Sequence, residues 1–322
     1  MPHTPLYRNS LSFAHTKNNT LETIKTETST ITISKVIETP FNFSNLILSP
    51  CVFVPQNSSV LLEAKIFKDT QETPWLNIIK IEHKHNTSFD PQESNIGKLN
   101  IDNFTCASYA TAVQYRITIT GKAMLLGLTN TIIKNDAEFN LNEAVKGDIK
   151  AVKLNVPPIS QITNGRDIKE RICSPTCVTM LLKYYAFKDS LFDVVDAVYD
   201  KQNDIYGNWL FNTIYAGNLG LDSYVTRINT LEQAYNIVSC GTPIIASITF
   251  TEGELDNAPK KSTKGHLVLI KGFDDKGNII VNDPAAPTDD TVERIYDKEQ
   301  FAKVWLGNKM GLSYIIVKPN LY

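Results

Sequence analysis

Apolar and polar residues alternate along several short stretches of the first half of the chain. In LLEAKIF, Leu62, Ala64 and Ile66 alternate with Glu63 and Lys65. In VQYRITIT, Val113, Tyr115, Ile117 and Ile119 alternate with Gln114, Arg116, Thr118 and Thr120. Further on, Val152, Leu154 and Val156 alternate with Lys153 and Asn155. A period of two puts one set of side chains in a core and the other in water, as in a half-buried strand. Turn-rich pieces such as FKDTQETP and NTSFDPQESNIG separate these stretches. Many short strands without a long helical pattern predict an antiparallel β-sandwich. NDAEFNLNEAVKGD reads as a short helix or an irregular loop.

The pattern changes after NVPPIS, whose two prolines interrupt both a strand ladder and a helix. PTCVTMLLKYYAF and SLFDVVDAVYDKQ carry apolar residues at helical spacing, and LEQAYNIVSCG is a third helix with Gly241 as its stop. TPIIASITF, HLVLIKGF and NIIVNDP follow as β-branched apolar runs, hence strands. Helices first and a sheet afterwards make an α+β order. The expected division is a β-sandwich accessory domain over 1–155 and an α+β domain over 156–322, with no internal repeat.

A chain of 322 residues has room for two such domains. Its net charge of −2 and scattered lysines predict neither a nucleic-acid groove nor a polybasic membrane patch. No apolar run is long enough to span a bilayer, and the N-terminus lacks a signal-peptide pattern. The expected location is cytoplasmic, or outside the cell by a route the sequence does not display. Five cysteines leave at least one thiol over if the others pair. With no second cysteine pair and no spaced histidines, no zinc or other cofactor is expected.

The opening of the first helix holds the candidate chemistry. In RICSPTCVTMLLKYY, Pro175 suits a first helical turn, which puts Cys173 at or just before the helix N-terminus. Unpaired amides and the helix dipole there favour a thiolate, the nucleophilic form. Cys177, one turn later, has poor geometry for a disulfide or a lone metal pair and reads as a core residue. Of the five histidines, only His266 follows Cys173 in the second domain. Histidine suits a base that must also deliver a proton near neutral pH. GHLVLIKGFDDKGNIIVNDP reads as a hairpin turning at residues 274–277, with His266 opening its first strand and Asp283 closing its second. A carboxylate there can fix the imidazole tautomer. Gln161, on the loop leading to the helix, could donate to an oxyanion, worth on the order of 3 kcal/mol of barrier.

At these residues the sequence resembles the papain-like cysteine peptidases of family 39, the bacteriocin-leader-processing type in standalone form. The resemblance runs from about Val156 to the end and includes GNWLFNTIYAGNLGLDSYV and LEQAYNIVSCGTPIIASI. It implies Cys173 as nucleophile, His266 as base, Asp283 as orienting acid and Gln161 as oxyanion donor, acting on a peptide or protein substrate. The first half is also similar to the β-sandwich preceding some standalone members. Ser174 stands where such domains commonly carry glycine. Transporter segments are not in this sequence, so leader processing at a double glycine is not implied.

A second reading is a binding or adhesin-like module: the sandwich takes a glycan or protein ligand and the papain-like part is inactive. Trp209 reads as core packing rather than cleft lining. The polar stretch TEGELDNAPKKSTKG before His266 reads as solvated surface rather than a flap.

Overall fold

A computed structural model describes residues 9–319. In chain order the first strands are β1 (Ser10–Ala14), β2 (Thr20–Lys25), β3 (Ser29–Ser34), β4 (Ile37–Phe53), β5 (Ser59–Lys68), β6 (Gln71–Glu72), β7 (Leu76–Glu82), β8 (His85–Thr87), β9 (Gln92–Glu93), β10 (Gly97–Asn100), β11 (Asn103–Thr120) and β12 (Met124–Lys134). The helices are α1 (Leu141–Ala144), α2 (Gln161–Asn164), α3 (Cys173–Tyr184), α4 (Leu191–Val198), α5 (Trp209–Asn218), α6 (Leu231–Ser239) and α7 (Lys298–Ala302). Among them run β13 (Val152–Lys153), β14 (Asp222–Arg227), β15 (Ile244–Phe250), β16 (Thr263–Phe273), β17 (Ile279–Asn282), β18 (Glu293–Tyr296) and β19 (Leu312–Val317).

These elements form two compact units interleaved along the chain. One takes Ser12–Asp136 and Asp196–Val225; the other takes Ala137–Val195 and Thr226–Ile316 with the described residues up to Leu11.

The sheet-rich unit holds the strands read from period two. Leu62, Ala64, Ile66, Val113, Tyr115 and Ile117 are buried, as that alternation requires. Its strands form one hydrogen-bonded, antiparallel, 12-stranded network. The 17-residue β4 and the 18-residue β11 make this continuous, because register shifts let each change partners along its length. Glu63 departs from the pattern: it is buried, and its carboxylate accepts from Arg116 Nε at 2.7 Å and Nη2 at 2.5 Å. A bidentate guanidinium offsets the desolvation of that carboxylate.

Helix α5 belongs to the same unit and packs on β4. Its Asn208 cap accepts from the Leu210 and Phe211 amides, and the buried Asp102 carboxylate accepts from the Trp209 amide at 2.8 Å. Burial pushes Asp102 up to about 7, against the Trp209 hydrogen bond. Trp209 itself is half-buried at the first helical position rather than a fully buried core side chain.

In the other unit, β19, β15, β16, β17 and β18 lie side by side in that order, and β13 pairs with the far end of β16. The neighbours of β16 and β17 run antiparallel, and β15 and β17 are buried along almost their whole lengths. That is why they read as unbroken apolar runs rather than as alternation. Helix α3 packs on β16, with every residue from Ser174 to Leu182 buried. NDAEFNLNEAVKGD forms the single-turn α1, capped by Asn140. Gly241 follows α6 with φ of 88°, the left-handed stop expected there.

Gly311, in the turn just before β19, has a φ of 65°, and a Cβ at that position would collide with the Ile228 carbonyl oxygen. Gly311→Ala therefore combines backbone strain with a clash that no rotamer relieves. It is expected to cost about 2–4 kcal/mol of stability, read from denaturant unfolding. A loss below half a kcal/mol would show that β19 can shift freely.

Candidate active site

Cys173 is the first residue of α3. The cap residue, Ile172, offers no side-chain hydrogen bond, so the first-turn amides are free to face the thiol. Pro175, in the same turn, sacrifices no intrahelical bond. Cys173 is partly exposed, whereas Cys177 is buried and its thiol donates to the Leu267 carbonyl at 3.4 Å.

The β16–β17 hairpin pairs Leu269 with Asn282, which brings Asp283 back toward His266. The strand begins at Thr263 rather than at His266, because Thr263 already pairs with Phe250. His266 Nε2 lies 2.7 Å from Asp283 Oδ1. A carboxylate can only accept, so Nε2 carries the proton and Nδ1 is left for Cys173. The Cys173 thiol and the His266 ring act on each other's ionisation, each favouring the charged form of the other. His266 and Asp283 are 2% and 1% exposed, so solvent screens their charges little.

Burial alone would push the Cys173 thiol up. The hydrogen bond and charge of His266, helped by the Leu267 and Ser174 amides, outweigh it and hold the thiol below its ordinary value. Burial also disfavours a charged His266, but the Asp283 carboxylate and then Cys173 raise it to about 10. Asp283, despite burial, is held below the usual carboxylate range by His266, the Tyr296 hydroxyl and the Ala285 amide. Burial pushes Cys177 well above an ordinary thiol, and the negative charges of Cys173 and Asp283 add to this. These groups together favour the thiolate–imidazolium form of Cys173 and His266 and the neutral thiol form of Cys177.

Gln161 is fully buried at the start of α2, whose Ser160 cap accepts from the Ile162 and Thr163 amides. Its backbone N–H donates to the Pro284 carbonyl at 2.9 Å, tying this turn to the residue after Asp283. The side-chain Nε2 donates to the Lys169 carbonyl at 2.6 Å, against the loop that leads into α3. Its Oε1 has no partner among the described residues. One N–H of the amide is thus spent on the loop and one remains.

Two tyrosines that sequence reasoning did not single out also support the site. Tyr296 Oη donates to Asp283 Oδ2 at 2.7 Å. Ser174 Oγ and Tyr314 Oη are 3.1 Å apart in a buried contact, so the serine beside Cys173 has a defined partner. The residues before His266 form a loop held to its surroundings. Lys260 pairs with Glu170 at 3.0 Å, Glu254 with Lys303 at 2.9 Å, and the Asp256 amide donates to Gln300 at 2.9 Å. Among the described residues, no group of three or more His, Cys, Asp or Glu side chains is placed to hold a metal ion. No described helix is long and apolar enough to cross a membrane.

Residues 153–311 match the Peptidase_C39 like family. This stretch is thus similar to C39-like peptidase domains. The match spans the turn of Gln161, the start of α3 and the His266–Asp283 hairpin. Among solved structures, the chain is similar to a protein of Bacillus anthracis described as a C39-like peptidase. The two share 17% identity over 53% of this chain and 98% of that one, at a TM-score of 0.39. No curated protein matches.

Proposed function

We propose that the chain is a cysteine peptidase, or a related thiol hydrolase, cleaving a peptide or other acyl bond. The supporting observation is the continuous thiol–imidazole–carboxylate series of Cys173, His266 and Asp283 inside the C39-like domain. The Cys173 thiolate attacks the carbonyl carbon, and the carbonyl oxygen becomes an oxyanion. The free N–H of Gln161 and the first-turn amides of α3 are the donors for that charge. His266 gives its proton to the leaving amine, and the acyl group stays on the sulfur. Water then attacks the thioester with His266 as base, and the sulfur leaves. Asp283 keeps the ring oriented throughout. If an amine replaces water, the same steps transfer the acyl group.

In this reading residues 156–322 supply the chemistry and residues 1–155 are an accessory β-sandwich that positions a peptide or protein substrate. The division is one of labour and need not be one of independent folding.

The test is the pH dependence of iodoacetamide labelling at each cysteine, by peptide mass mapping, in the wild type and in His266→Ala. Cys173 is expected to label rapidly below neutral pH and to lose this advantage in the variant. Cys177 is expected to stay unlabelled until the protein unfolds. Labelling of Cys173 no faster than the exposed Cys240, and indifferent to His266, would sink the enzyme reading and leave a binding module with an inactive site.

A further inference from the structure

The two oxygens of Asp283 have separate duties. Oδ1 faces His266 Nε2 at 2.7 Å and accepts from the Ala285 amide at 3.0 Å. Oδ2 accepts from the Tyr296 hydroxyl at 2.7 Å. The Asp283 amide donates to the Val292 carbonyl at 2.8 Å, which fixes its backbone but leaves its carboxyl free to rotate. The Ala285 amide restrains that rotation at Oδ1, and the short bond from Tyr296 restrains it at Oδ2.

Tyr296 is itself held firmly. It ends β18 opposite Ile279, and its ring reaches back along the hairpin to Asp283. The ring is fully buried and stacks on Phe301 at 5.8 Å and 12°. Phe301 in turn lies against Trp305 at 5.7 Å, and Trp305 Nε1 donates to the Leu312 carbonyl at 3.2 Å. The aromatic packing sets the place of the ring, so the hydroxyl is not needed merely to fill the core.

We propose that Tyr296 is a positioning residue for this site: its hydroxyl locks Asp283 Oδ2 so that Oδ1 stays aimed at His266. The proposal rests on the cysteine-peptidase reading and adds to it a residue that touches neither the nucleophile nor the base. Without the hydroxyl, the buried Oδ2 has lost its donor and the carboxylate turns to seek another. The Nε2–Oδ1 bond then lengthens and bends, and both hydrogen bonding and attraction to the imidazolium weaken. A less stable imidazolium loses its proton at lower pH and supports the thiolate less well.

Iodoacetamide reports both changes without a known substrate. The wild-type rate profile for Cys173 is expected to rise once as the thiolate forms, hold a plateau, and rise again as His266 deprotonates. In Tyr296→Phe the plateau is expected to narrow from both sides, by about one pH unit in total. A purely structural role would lower the melting temperature without moving either limb. A profile that superimposes on the wild type, or a wider plateau, overturns the proposal. Should the phenylalanine variant fail to fold, 3-fluorotyrosine at Tyr296 serves instead. Its more acidic phenol is a stronger donor of nearly the same shape, so the plateau is expected to widen; unchanged limbs overturn the proposal. A wild-type profile without a plateau and insensitive to His266→Ala overturns the peptidase reading and this role together. A normal wild-type profile with an unmoved Tyr296→Phe overturns only this role.

Discussion

Cys173→Ala is expected to abolish the burst of p-nitrophenol released when the wild type is mixed with p-nitrophenyl acetate. Steady turnover of an unfolded protein substrate is expected to fall by about 10⁴-fold or more. The size follows from what the substitution removes. Oxyanion donors and binding contacts survive, but the chain loses the group that divides hydrolysis into two easier steps. Cys177 cannot take over, because it is buried, its thiol is engaged by Leu267, and burial holds it protonated. The comparison needs only the two proteins and stopped-flow absorbance. A burst retained within tenfold would mean that another side chain is the nucleophile.

Asp283→Ala is expected to be the most destabilising single change within the site, at about 3–5 kcal/mol. It removes the acceptor of His266 Nε2, of the Tyr296 hydroxyl and of the Ala285 amide at once, all in a buried setting. The pH dependence identifies the cause. His266 has a folded value of about 10, so its share of stability is complete below the ordinary histidine value and is lost as pH rises toward 10. Asp283 is held below its ordinary value, so its share is present above the usual carboxylate range and lost as pH falls. The share of this ion pair in stability should therefore be greatest in mildly acid solution, between about pH 4 and 6.5. Urea unfolding across pH should show the difference between wild type and variant shrinking at both extremes. A difference independent of pH would mean that the loss comes from packing and not from the ion pair.

The hairpin behind this ion pair was legible because it is local. A short polar turn between two apolar runs dictates that the ends of the runs meet, and His266 and Asp283 stand near those ends. The strands Ser59–Lys68 and Asn103–Thr120 were legible for a different reason: one face of each meets a core and the other is more polar. Helix α5 was not singled out, because its buried face includes Asn212 and Thr213. Local bonds make their burial tolerable, from Asn212 Nδ2 to the Asn208 carbonyl and from Thr213 Oγ1 to the Leu210 carbonyl. Tyr296 and Tyr314 gave no signal, since each meets its partner through the path of other elements and buried tyrosines are common in cores. Gln161 could be placed near Cys173 by chain distance. The Lys169 carbonyl that takes one of its hydrogens could not be foreseen.

The interleaving of the two units has a consequence for synthesis, which proceeds from the N-terminus. The long strand β4 leaves the ribosome well before α5, whose Leu210, Phe211 and Ile214 are buried in the same unit. Until then β4 lacks the packing that α5 supplies. Helix α3 is also made early, but His266 and Asp283 follow only after most of the sheet-rich unit is complete. Until they emerge, Cys173 lacks the imidazolium that lowers its pKa. The shift of the Cys173 thiol therefore arises only after the His266–Asp283 hairpin has been made.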